Sequence, residues 1–159
     1  MDATPDVTAN DAGGDATDAG KDSAPTCTGF VTDAAAITQM FVATDTPAGD
    51  GGPLIDGVYD MTAWAVYTGV DGSAGPTGQI VSATMAIEAG AWGYDEHWTQ
   101  GDAGGVLDTT GTFTVLDAGA LIDPANCGGS NPFTSYSTDG TNLTFFSPSP
   151  PWGLSLKRR

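Results

Sequence analysis

Between Gly57 and Leu156, apolar side chains recur at every second position in short runs, and each run ends in glycine, proline or aspartate. A period of two puts alternate side chains on opposite sides of a strand, so each run reads as a β-strand with one buried face. GVYDMTAWAVYTG (57–69) places Tyr59, Met61, Ala63, Ala65 and Tyr67 together. QIVSATMAIEA (79–89) places Val81, Ala83, Met85 and Ile87 on one face, and Ser82, Thr84 and Glu88 on the other. AWGYDEHWTQ (91–100) follows after a tight turn at Ala89-Gly90. GTFTVLD (111–117) and GALID (119–123) form a hairpin. PFTSYST (132–138) and TNLTFFS (141–147) flank Asp139-Gly140, a pair that predicts a type I′ turn. WGLSL (152–156) closes the chain with Trp152, Leu154 and Leu156 on one face. Only AAAITQMF (34–41), with Asp33 as its N-cap, predicts a helix.

About eight antiparallel strands in consecutive hairpins, with almost no helix to cover an open sheet, leave two all-β solutions. One is an up-and-down barrel, the expected architecture; the alternative is a two-sheet β-sandwich. Closing a sheet removes its exposed edges, and eight strands leave an interior that side chains fill or that holds one small ligand.

Charge excludes whole classes of partner. There are 20 acidic side chains against 4 basic ones, a formal net charge of -16, and no lysine or arginine from Asp22 to Leu156. Nucleic acids, nucleotides and anionic membrane surfaces need cations to meet their phosphates, so none is an expected partner. DTPAGDGG (45–52) and VDGSAG (70–75) lack the alternating acidic ligands of a calcium loop, and no CxxC, CxxH or HExxH spacing occurs. No metal and no cofactor is expected. TNLT (141–144) has the form of a glycosylation sequon but is read as part of a strand.

Cys27 and Cys127 are an even pair in a chain with other marks of export, and a disulfide between them is expected. Residues 1–26 are a different material, made almost wholly of Asp, Ala, Thr and Gly, with DAT and DAG each occurring twice. Such a segment buries too little apolar surface to offset its ordering entropy and is read as a disordered acidic tether. The division is therefore a tether over 1–26 and one β domain over 27–159. The tether resembles the linkers that follow the lipidated cysteine of bacterial surface lipoproteins. That resemblance implies an exported protein of the bacterial cell surface or periplasm, whose only membrane contact is a lipid anchor ahead of Met1.

The domain has a resemblance of its own. In LIDGVYDMTAW, Gly57-x-Tyr59 opens the first long strand like the Gly-x-Trp signature of lipocalins, with tyrosine in place of tryptophan. The terminal LSLKRR is similar to that family's last-strand basic residue, which packs over the aromatic. Strands such as GTFTV are similar to those of small bacterial lipocalin-like domains. The resemblance covers about 55–157 and implies a barrel around a small apolar ligand.

GYDEHWTQ (93–100) contains the only histidine. Alternation puts Trp92, Tyr94, Glu96 and Trp98 on one face, and Gly93, Asp95, His97 and Thr99 on the other. Three large rings on one side of a strand turn inward, which leaves His97 outside beside Asp95 as a solvated pair. Glu96 then sits among rings with no cation in reach, and desolvation raises its pKa. It either reaches water at the barrel mouth, is turned out by a bulge, or anchors a ligand at the rim of an aromatic pocket. Tyr67, at its strand's end, is a further rim residue. Tyr59, Phe113, Phe145 and Trp152 are read as core, and Trp64 as an outward residue covered by 28–45.

The expected function is binding of a small apolar or aromatic molecule by a monomer, at Tyr67, Trp92, Tyr94, Glu96 and Trp98. The alternative is a structural or interaction module of the cell surface with a filled barrel. A cyclase or isomerase that uses Glu96 comes third. No nucleophile elbow, glycosidase acid pair or Ser/His/Asp set is visible, and no catalytic residue is assigned.

Overall fold

The structure is a computed structural model that describes residues 27–122, 124–129 and 133–159. The tether expected over 1–26 lies outside the described residues. The strands are β1 (Ile37–Val42), β2 (Gly57–Tyr67), β3 (Gly75–Glu88), β4 (Ala91–Gln100), β5 (Ala103–Thr112) and β6 (Thr114–Val115). They continue with β7 (Leu121–Ile122), β8 (Ala125–Cys127), β9 (Ser135–Thr138), β10 (Asn142–Pro148) and β11 (Pro151–Arg158). A single 3₁₀ turn at Asp117–Gly119 is the only helical element among the described residues.

Nine strands form one sheet in the order β8-β5-β4-β3-β1-β2-β11-β10-β9, curled into a half-barrel. The fold is all-β, as the alternation predicts. The short β6–β7 ribbon lies against one end of the sheet, where Ala120 bridges Ser135 of β9. The described part of β8 pairs with β5 only near Thr110 and Gly111, which leaves most of β5 without a ladder partner on that side among the described residues.

The helix expected at 34–41 is absent; Ile37–Val42 run as β1. β2 and β3 pair with each other only over Gly57–Asp60 and Thr84–Ile87, and then diverge. The gap exposes two rows of backbone groups that must find partners. β1 fills it, parallel to β2 (Met40↔Ala65, Val42↔Tyr67) and antiparallel to β3 (Ile37↔Val81). Ile37, Phe41 and Val42 suit a strand, and the ladder bonds on both sides outweigh the helical preference of the preceding alanines.

Strand β2 contains a bulge. Ser155 opposes Ala63 while Leu156 opposes Met61, so Thr62 has no partner across the ladder. The extra residue reverses the phase of everything after it. Tyr59 and Met61 are buried, but Ala63 faces solvent and Trp64, opposite Leu154, packs against the core. The reading of Trp64 as outward and of Ala63 and Ala65 as inward is therefore corrected.

Turns follow local chemistry. Ala89 and Gly90 link β3 to β4 with positive φ at both positions, as a type I′ turn requires. Asp139-Gly140 does not form that turn. Only Gly140 has positive φ, and Thr138↔Leu143 pairing makes the loop four residues long. Asp139 caps it by accepting the Thr141 and Asn142 amides at 2.8 and 2.7 Å.

The inner face of β3 is Val81, Ala83, Met85 and Ile87, all buried, as expected. Across the interior, Trp92, Phe113, Phe145 and Phe133 form a run of stacked rings with centroids 5.3 to 5.8 Å apart. Cys27 and Cys127 are disulfide-bonded, with Cα atoms 5.8 Å apart. The bond ties an arm, residues 27–34, to the outer face. There Asp108 accepts the Cys27 and Thr28 amides at 2.7 and 2.9 Å. Further along, Thr28 and Phe30 lie over Gly93, and Asp95 accepts the Thr32 amide at 2.7 Å. The arm thus covers β4, and not Trp64.

Candidate ligand-binding site

The concave face of the half-barrel holds a cavity of about 500 Å³. Strand β4 supplies Trp92, Tyr94, Glu96 and Trp98, so the four residues that alternation placed on one face line one space. Trp64 of β2 and Trp152 of β11 join them, their rings 5.5 Å apart and nearly perpendicular. Met85, Leu154, Phe133 and Thr109 complete the wall. The exposed Val106 and Leu107 of β5 and Pro150, in the β10–β11 turn, form its rim.

Two of the indoles are seated by glycines. Trp92 opposes Gly111 and Trp98 opposes Gly105 in the β4–β5 ladder. A Cβ on Gly105 would stand 3.0 Å from the Trp98 ring, and one on Gly111 would run into Trp92. Glycine at both positions lets the rings lie flat on the neighbouring backbone, which a side chain would prevent.

Glu96 is 5% exposed and points inward; neither a bulge nor the mouth turns it out. Its Oε2 accepts a hydrogen bond from the Tyr94 hydroxyl at 2.6 Å, the only donor that reaches the carboxylate among the described residues. Its ladder partners are Ala83 and Leu107, so the flanking strands bring it neither charge nor donor. Burial pushes the Glu96 carboxyl above its ordinary range; the Tyr94 bond pulls the other way, and the neighbouring Asp95 charge adds a smaller upward push. Burial and the adjacent carboxylate together push the Tyr94 phenol well above its ordinary value. The indole Nε1 atoms of Trp64 and Trp92 are buried with no acceptor among the described residues. The site therefore combines an apolar, largely aromatic wall with one desolvated carboxylate.

Other expectations fare differently. His97 faces outward, its Nε2 3.2 Å from Asp95 Oδ1, as alternation predicts. Asp95 itself is not solvated, however. It is 3% exposed, because the arm lies over it and Thr32 donates to it. Tyr67 is not part of the cavity lining. Past the bulge it falls on the convex face, where its hydroxyl end covers Gly153. Tyr59 and Phe145 are core, but Trp152, expected there, lines the cavity.

The sequence reading missed Trp64 and Trp152 as wall residues. One signal was available. Tyr59 and Met61 are in phase with each other, and Trp64, three residues on, is not; a phase break inside one strand marks a bulge. Compared with protein-family models, with curated proteins and with solved structures, the chain matches none of them.

Proposed function

We propose that this domain is an exported, surface-tethered, lipocalin-like half-barrel that binds a small apolar or aromatic molecule on its concave face. The observation that carries the reading is the cavity. About 500 Å³ of space lined by six aromatic residues and one buried carboxylate has the size and make-up of a small-molecule site. A filled barrel serving only as a structural module would leave no such volume. Binding is preferred to catalysis because Tyr94 already engages the Glu96 carboxyl and no further acidic or basic side chain lines the cavity among the described residues. The lipocalin-like reading is supported by the curled, mostly antiparallel sheet and by the pairing of Arg158 with Tyr59, which sets the terminal basic segment beside Gly57-x-Tyr59. The Cys27–Cys127 bond fits an oxidising compartment.

A titration with N-phenylnaphthylamine, followed through its own fluorescence and quenching of the tryptophans, tests the reading. Saturable binding is expected. Glu96→Gln should alter the affinity and His97→Gln should not, since His97 lies on the other face. Absence of saturable binding, or a change confined to His97→Gln, would refute the assignment.

A further inference from the structure

We infer that the occupant of the cavity is an organic cation: an apolar body carrying a quaternary or protonated amine, held against Glu96 inside a wall of indoles. The inference rests on the binding reading above and narrows it to a ligand class.

Three observations converge. First, the chain has four tryptophans, Trp64, Trp92, Trp98 and Trp152, and all four line this one cavity together with Tyr94. Apolar contact alone is supplied as well by leucine or valine. Indole is the side chain whose face attracts a cation most strongly, and an ammonium among several such faces is a stable arrangement once water is excluded. The perpendicular Trp64 and Trp152 make a corner of that kind.

Second, Glu96 is the only acidic or basic side chain in the lining among the described residues. Tyr94 occupies Oε2, and no donor among the described residues reaches the other oxygen. A neutral apolar ligand would desolvate that carboxylate further and return nothing. An ammonium supplies the missing counter-charge, and N–H donors where the amine is not quaternary.

Third, no lysine or arginine lines the cavity among the described residues. No lysine or arginine occurs from Asp22 to Leu156. The Arg159 guanidinium is held by Asp60 and reaches Thr84 on the convex face, so the sheet lies between it and Glu96. The net charge of -16 draws small cations toward the protein and repels carboxylate or phosphate ligands.

The test uses three probes with one naphthyl body. One ends in trimethylammonium, one in its neutral tert-butyl isostere and one in a carboxylate. Each is titrated calorimetrically into the disulfide-bonded full chain at about 0.15 M salt, where long-range attraction is largely screened. The ammonium should bind roughly tenfold or more tighter than the neutral isostere, and the carboxylate weakest. In Glu96→Gln the ammonium preference should fall to roughly threefold or less, the part left to the indole faces. In Asp71→Asn, an exposed loop carboxylate, it should persist. Equal or tighter binding of the neutral probe overturns the inference and leaves the cavity reading standing. Equal loss of preference in Asp71→Asn also overturns it, since the surface field would then be the cause. Binding of none of the three overturns the cavity reading itself. The wild-type comparison needs no variant, so the inference stays testable even if Glu96→Gln does not fold.

Discussion

The disulfide sets a large part of this domain's stability, and its contribution can be worked out. Replacing both Cys27 and Cys127 with serine opens a loop closed across a sequence separation of 100 residues. Loop-closure entropy for about 100 residues is worth about 4.7 kcal/mol at 25 °C, acting through the unfolded chain. The folded side should change less. The arm keeps four bonds that do not involve sulfur: Asp108 to the Cys27 and Thr28 amides, Asp95 to the Thr32 amide, and Thr32 to Thr84 at 2.8 Å. Bonds to charged acceptors are worth roughly 1.5 to 3 kcal/mol each, enough to hold the arm in place without the crosslink. The expected loss is therefore mostly the unfolded-state part, about 3 to 5 kcal/mol, or on the order of 15 °C in Tm. Urea unfolding of the oxidised protein and of the double serine variant measures it. The variant should also show a larger m-value, because its unfolded chain is free to expose more surface. A loss under about 1 kcal/mol with an unchanged m-value would refute the reasoning, since it would mean the crosslink barely restricts the unfolded chain.

Two further predictions concern the cavity wall. The Glu96 carboxyl is raised by burial, so the folded state holds its proton more tightly than the unfolded state does. That contribution to stability is greatest in acid and is lost as the pH rises from about 4.5 through the folded value. Glu96→Gln lacks this loss and should gain on wild type across that window in urea melts at stepped pH; a relative gain by wild type would show that the Tyr94 bond outweighs desolvation. Gly111→Ala puts a methyl group into the Trp92 ring and against the Pro124 carbonyl. It should cost roughly 1 to 3 kcal/mol and shift tryptophan emission, and an unchanged melting curve would show that Trp92 is not seated on that backbone.

Much of this architecture is written locally. Strands β3, β4, β10 and β11 were legible because their alternation and their turn residues involve neighbours in the chain. The same alternation set Glu96 with Trp92, Tyr94 and Trp98, and His97 opposite, because side-chain direction in a strand depends only on parity. The chemistry of the wall, an acid among rings in a chain almost free of cations, was also present in residue types alone.

Tertiary structure decided the rest, wherever the cause lay far off in the chain. Ile37–Val42 became β1 because β2 and β3 diverge and need a partner between them. Trp64 turned inward because the register of β11, about 90 residues later, leaves Thr62 unopposed and reverses the parity beyond it. Asp95, read as a surface residue, is buried by an arm that a distant disulfide fastens. Tyr67 left the expected site through the same change of parity. The cavity exists because the curl of the sheet carries β2 and β11 across from β4 and β5. Parity is a property of a single strand, but which strands face one another across the interior is fixed only when the whole sheet has assembled and twisted.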